Sequence, residues 1–293
     1  MQRRDIVFEA NGEKLAGWLY GPTQGSGARY PLIVMSHGFS ALMAMGLDDY
    51  AAAFAAAGFA VLVYDHRNYG ASSGWPRHET DPWQQVEDMR AAISYGRNLS
   101  FVDPARIGLW GTSYSGGHAL TVAALDRRVR CVVSQVPLVS GQRTFEAWVP
   151  AASRQRFLER LAADRDGRAR GEPPGVTAVA IPGSETAEWA EAVDKDLTYG
   201  NEITLRSLDL LRGYEPISFI SRIAPTPLLM IVADQDSQTP VAWQREAFEI
   251  AAEPKQLLSL LGRHYDPYTM HLAASRQAAL DWFQSHLRSE VPA

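Results

Sequence analysis

Cysteine is almost absent from this 293-residue chain: Cys131 is the only one, so no intramolecular disulfide can form. It lies in the apolar run 129–133, where a buried core thiol is a better reading than a nucleophile. The excess of one sign of charge is small too. A formal net charge of −5 supplies neither the basic stripe that nucleic acid requires nor attraction to an anionic membrane surface. No apolar run is long enough to span a bilayer. Met1 to Asp5 lead straight into Ile6-Val7-Phe8 with no long apolar stretch and no small-residue cleavage site, so no signal peptide is expected and a cytoplasmic enzyme is. No cluster of His, Cys or acidic residues stands at metal-ligand spacing; neither a metal nor an organic cofactor is expected. There is no internal repeat. What is present, 46% hydrophobic and 21% charged residues, argues against disorder and fits one substantial core, with or without a modest insertion.

The order of apolar runs predicts the architecture. Residues 5–10 and 14–20 read as strands around Asn11-Gly12, a dipeptide that favours a tight hairpin turn. Strands are predicted at 31–35, 59–64, 106–110 and 129–136, with helices at 48–57, 83–98 and 115–125 between them. The alternation then stops. Residues 141–215 are richer in charge and carry no clear buried strand, and their Gly/Pro-dense piece 168–175 reads as a loop between two groups of amphipathic helices. Alternation resumes with a strand at 228–232, a helix opened by Thr239 as N-cap and Pro240 at its first position, a last strand at 256–261 and a helix over 269–287. This is an α/β pattern: a mainly parallel sheet covered by helices on both faces, residues 1–140 and 216–293, with a helical cap, 141–215, inserted between the sixth and seventh strands. Ligands bind at the carboxyl ends of such strands.

Gly111-Thr112-Ser113-Tyr114-Ser115-Gly116-Gly117 is a strand-to-helix turn that presents a serine. The neighbours two positions away must be small at so sharp a junction, or their side chains collide. Gly111 meets that demand; Ser115 stands where the usual pattern has a second glycine. A serine hydroxyl is a weak nucleophile until a base takes its proton, and the base needs a carboxylate to orient it. His264 is the candidate base because it alone among the seven histidines lies in the loop straight after the last strand. Asp236 and Asp234 both follow the seventh strand. Asp236 is preferred because its distance from Pro240 fits the usual turn, which leaves Asp234 as a loop-structuring residue. The backbone N–H groups of Tyr114 and Phe39 are the candidate oxyanion donors. His37 is expected to shape the loop, and Asp65 and Arg67 to brace the turn at 68–70. Phe145, Trp148, Phe157, Trp189 and Tyr199 are candidate walls of an acyl pocket, or else hold the cap onto the sheet. Arg143, with Arg154, Arg156 and Arg160, is either a carboxylate-binding group or part of a solvated helix face.

The segments Ser36-His37-Gly38-Phe39, Tyr64-Asp65-His66-Arg67, Tyr69-Gly70-Ala71-Ser72 and 111–116, with Asp236 and His264, resemble the α/β-hydrolase superfamily. Asp103-Pro104 with Arg106-Ile107 is similar to the dienelactone-hydrolase-like and acyl-peptidase-like branches. Gly262-Arg263-His264-Tyr265-Asp266-Pro267-Tyr268 is similar to serine hydrolases and acyl transferases of the polyketide-transferase type. The resemblance implies the α/β-hydrolase fold and a cofactor-free esterase-type hydrolase acting through an acyl-enzyme. Its expected partner is a small or medium ester, thioester or lactone substrate. An acyl transferase with the same triad, a C–C bond or small-peptide hydrolase, and a non-catalytic ligand-binding member of the fold are the alternatives.

Overall fold

Asn11 and Gly12 turn the chain with φ of 49° and 87°, the geometry of a two-residue hairpin, between β1 (Gln2–Ala10) and β2 (Glu13–Gly21). The computed structural model describes residues 1–22, 27–194 and 198–288. β3 (Tyr30–Ser36), α1 (Asp48–Ala56), β4 (Ala60–Tyr64), α2 (Pro82–Arg97), β5 (Val102–Thr112), α3 (Tyr114–Leu125) and β6 (Val129–Gln135) follow in alternation. The chain then leaves the sheet for α4 (Gly141–Trp148), α5 (Ala151–Ala169), β7 (Val176–Thr177), α6 (Glu185–Val193), β8 (Ile203–Thr204) and α7 (Leu205–Leu211). It returns with β9 (Leu228–Ala233), α8 (Val241–Ile250), β10 (Lys255–Leu260) and α9 (Leu272–Leu287).

The main sheet has eight strands in the order β1-β2-β4-β3-β5-β6-β9-β10. β1 pairs with β2 and β2 with β4 antiparallel; every other pair is parallel. Parallel strands need cover on both faces, and the period of two along β4 shows how it is supplied. Val61 and Val63 pack into the cluster that α1 and α9 close, whereas Leu62 and Tyr64 join the cluster of α2 and α3. α3 lies deepest, with every residue from Tyr114 to Ala124 buried. Strand order reverses between β3 and β5, so the loops after these strands diverge and open a crevice at the sheet's carboxyl edge.

The segment after β6 buries Phe145, Leu161, Ile203 and Leu208 in the α2/α3 cluster. It also holds an antiparallel ladder, β7 with β8, too short to show as a strand in the hydrophobic pattern. α5 runs on to Ala169, which leaves 170–175 as the loop.

Three local expectations change. Thr239 does not cap α8: the helix starts at Val241 with Pro240 at the N-cap, and the Thr239 hydroxyl turns inward to the Val136 carbonyl and to Asp236. Arg67 does not brace the turn at 68–70. Its guanidinium forms a bidentate pair with Asp88 on α2, the geometry that suits a buried arginine. Asp65 does reach that turn, accepting from Ala71 N–H at 3.3 Å, and also accepts from Met43 N–H at 2.8 Å. α9 begins at Leu272 because residues 266–268 form a separate 3₁₀ turn.

Candidate active site

Ser113 sits between β5 and α3 with φ of 53° and ψ of −118°, a conformation a non-glycine residue holds only under constraint. Both flanks are tied down: its N–H donates to the Gln135 carbonyl at 2.8 Å, and its carbonyl accepts from Leu138 N–H at 2.9 Å. Position 111 admits only glycine, since a Cβ there would overlap the Ser115 carbonyl. Gly38 brings the loop after β3 against the nucleophile; a Cβ on it would lie 3.1 Å from Ser113 Cβ and 3.5 Å from Ser113 Oγ.

His264 Nε2 lies 3.1 Å from Ser113 Oγ, and its Nδ1 lies 2.8 Å from Asp236 Oδ2. The carboxylate accepts the Nδ1–H hydrogen bond and so keeps the ring proton on Nδ1, which leaves Nε2 as the acceptor for the serine. Both side chains are buried, His264 at 2% and Asp236 at 5% exposure. Asp236 is held in place by more than the histidine. Oδ1 accepts from the N–H groups of Gln238 and Thr239, each at 2.9 Å. Oδ2 also accepts from Thr239 Oγ1 and Gln244 Nε2. Asp234, two residues away, points outward to Arg245 at 2.6 Å and to Ser259. Of the two aspartates, only Asp236 meets the histidine. Thr239 and Gln244 escaped the sequence reading, because their function depends on how α8 folds back over its own leading loop.

The N–H of Phe39 and that of Tyr114 make no hydrogen bond among the described residues. For Tyr114 that is expected at the first position of a helix. The two rings pack edge to face with centroids 5.0 Å apart, so the two donors belong to one packed unit. Behind it lie three buried histidines. His66 is 4.5 Å from His37 and 5.7 Å from His118, ring to ring. His37 accepts from His66 N–H at 3.1 Å and therefore carries its proton on Nδ1, which donates to the Gly38 carbonyl at 3.0 Å. It shapes the loop and does not touch Ser113 in any hydrogen bond among the described residues.

Burial disfavours the charged imidazolium at all three histidines. It lowers His37 from the usual histidine value, lowers His66 strongly, and brings His118 to about 3. The unfolded chain binds these protons as pH falls through about 6.5, whereas the folded chain refuses them, so stability is full above that pH and declines below it. Unfolding free energy is expected to drop between pH 7.5 and 5.5, by about 1 kcal/mol through His118 alone and further through His37 and His66. Urea titrations at the two pH values check this. Equal midpoints would mean that the cluster is solvated or charged.

A cavity of about 520 Å³ opens over Ser113 and His264, within the range of small-molecule sites. Trp148, Phe157, Trp189 and Tyr199 line it. Phe145 does not; it is buried in the core at 1% exposure. Trp148 spans the site: its indole N–H donates to the Gln238 carbonyl at 2.9 Å and its ring lies 5.4 Å from that of Phe39. Trp189 stacks on Tyr265 at 4.7 Å and 17°, and Tyr265 meets the His264 ring edge-on at 4.9 Å. Arg143 stands outside the cavity, paired with Glu246 at 2.5 Å on an exposed face. Arg154 and Arg160 likewise bond to backbone carbonyls of their own segment. No Asp, Glu, Lys or Arg is among the lining residues that are described.

The model of one protein family, the X-Pro dipeptidyl-peptidases (S15 family), matches residues 11–265. The chain is 35% identical over 246 residues to the quorum-quenching protein AidA of Acinetobacter baumannii, covering 80% of this chain and 79% of that one. It is 34% identical over 265 residues to a thiohydrolase of Aspergillus aculeatus, with 84% and 81% covered. To the polyketide transferase GrgF of Penicillium sp. it is 30% identical over 297 residues, 98% of each chain. The crystal structure of α/β hydrolase GrgF from Penicillium sp. sh18 superposes with a TM-score of 0.86 at 29% identity, covering 98% of this chain and 99% of that one.

Proposed function

The chain belongs to the X-Pro dipeptidyl-peptidase (S15) family and is a serine hydrolase of the α/β-hydrolase fold; from that premise we propose that it cleaves a neutral, largely apolar ester, thioester or lactone through an acyl-enzyme on Ser113. His264 Nε2 takes the Ser113 proton as Oγ attacks the carbonyl carbon. The oxyanion that forms sits on the N–H groups of Phe39 and Tyr114, at the amino end of α3. His264 then gives its proton to the leaving oxygen or sulfur and activates water to release the acid. Asp236 holds the imidazole in the tautomer this needs and stabilises the imidazolium. Residues 141–215, of which 195–197 lie outside the described residues, act as the cap that bounds the acyl pocket through Trp148, Phe157, Ile203 and Leu208.

The observation that carries the substrate assignment is a cavity wall whose described residues carry no fixed charge. A peptidase that counts two residues from a free N-terminus must hold an ammonium group, and an ammonium buried without a carboxylate loses several kcal/mol. Among the described residues this wall offers none, so dipeptide release, the activity in the family's name, is not the reading the site supports. p-Nitrophenyl butyrate is expected to react with a kcat/KM at least about 100-fold above that of p-nitrophenyl hemisuccinate or of Ala-Pro-p-nitroanilide. Comparable values for Ala-Pro-p-nitroanilide would overturn the assignment. The likeness to a polyketide transferase over 98% of the chain favours one second reading, in which an alcohol or thiol takes the place of water. The first half-reaction is the same, and product analysis with competing acceptors separates the two.

A further inference from the structure

The small residue after the elbow is a serine where glycine suffices for space, and its hydroxyl is fully used. Ser115 is 0% exposed. Its Oγ donates to the His37 carbonyl and, having one proton, accepts from His66 Nε2–H at 2.8 Å. That fixes the His66 tautomer and leaves His66 Nδ1 without a partner among the described residues. The bonded carbonyl belongs to the peptide between His37 and Gly38. The next peptide is held through the Gly38 carbonyl by the His37 ring. In a trans peptide C=O and N–H point opposite ways, so this bond sets the direction of Phe39 N–H. Ser115 stands on α3 two residues from the nucleophile, whereas His37 is 78 positions earlier in the chain. The bond therefore ties the donor loop to the element that carries Ser113.

We propose that Ser115 is a positioning residue of the oxyanion hole: its hydroxyl, held by His66, locks residues 37–39 onto the elbow so that Phe39 N–H meets the developing oxyanion. Without it Gly38, which has no side chain to restrain it, lets the loop drift. The inference rests on Ser113 being the nucleophile.

The test compares wild type with Ser115→Ala and Ser115→Gly. Three quantities are read: the rate of Ser113 phosphonylation by a fluorophosphonate, kcat and KM for p-nitrophenyl butyrate, and inhibition by a trifluoromethyl ketone, whose hemiketal oxygen occupies the same hole. Losing an oxyanion donor outright lowers turnover about 10²–10³-fold. A misdirected donor is expected to lower kcat and the phosphonylation rate about 10- to 100-fold, to weaken the ketone by a matching factor, and to leave KM within about threefold. A purely structural serine would lower the melting temperature and leave the folded enzyme's kcat and ketone affinity unchanged, which overturns the proposal. Phosphonylation that is fast in wild type and equally fast in both variants removes the Ser115 inference alone. A wild type that takes no fluorophosphonate removes the Ser113 reading, and the Ser115 inference falls with it.

Discussion

Ser113→Ala is expected to lower ester turnover by about 10⁴–10⁶-fold, the loss typical of removing the nucleophile from a serine triad. Substrate binding should survive, because the cavity wall is unaltered. Ser113 contributes only its Oγ to that space, and the walls are set by Phe39, Trp148, Phe157 and Tyr268. Stability should change little or rise slightly: alanine keeps the same backbone and removes a hydroxyl whose hydrogen-bond partner among the described residues is His264. Stopped-flow turnover of p-nitrophenyl butyrate, with equilibrium binding of a non-hydrolysable amide analogue, separates the two effects. Wild-type turnover in the variant would place the chemistry elsewhere.

Asp236→Asn is expected to cost about 10³–10⁴-fold in kcat with KM little changed. An asparagine amide can donate to His264 Nδ1, which moves the ring proton to Nε2 and blocks acceptance of the serine proton. The geometry leaves the amide no good orientation. Oδ1 faces two backbone N–H groups and Oδ2 faces the Gln244 amide and the Thr239 hydroxyl besides the histidine, so an NH₂ at either position meets donors. Asp234→Asn, by contrast, opens only a surface pair in which the carboxylate is 37% exposed; such pairs are worth about 0–1 kcal/mol, and kcat should stay within about twofold. If the two variants behaved alike, the assignment of the acid to Asp236 would fail.

The contrast between the aspartates shows where sequence stops being enough. In an extended strand, residues 234 and 236 would share a face. The structure turns between them: Asp236 N–H bonds back to the Ala233 carbonyl, and the two carboxylates part company. The distance to Pro240 separated them where periodicity did not. The serine and the histidine were legible because each is fixed by local pattern plus topology, a small-residue turn after one strand and the loop after the last. Ser115, His66, Thr239 and Gln244 were not. Their roles come from hydrogen bonds that close only after distant elements pack, and a serine in a Gly/Ser turn carries no mark of its partner. The β7/β8 ladder was missed because four residues cannot display a period. Arg143 offered a charge without context: a surface pair with Glu246 on α8 cannot be told in sequence from a substrate clamp. The eight strands of the main sheet and their mainly parallel pairing, in contrast, were legible in the alternation of apolar runs and helices.

The measurement that bears most directly on the central claim is intact mass after treatment with a fluorophosphonate, on wild type and on Ser113→Ala side by side. A single adduct on the wild type, complete within minutes, and none on the variant is the expected result; it means that an activated Ser113 sits in an open site. No adduct on folded wild type, or an equal adduct on both proteins, would contradict the account.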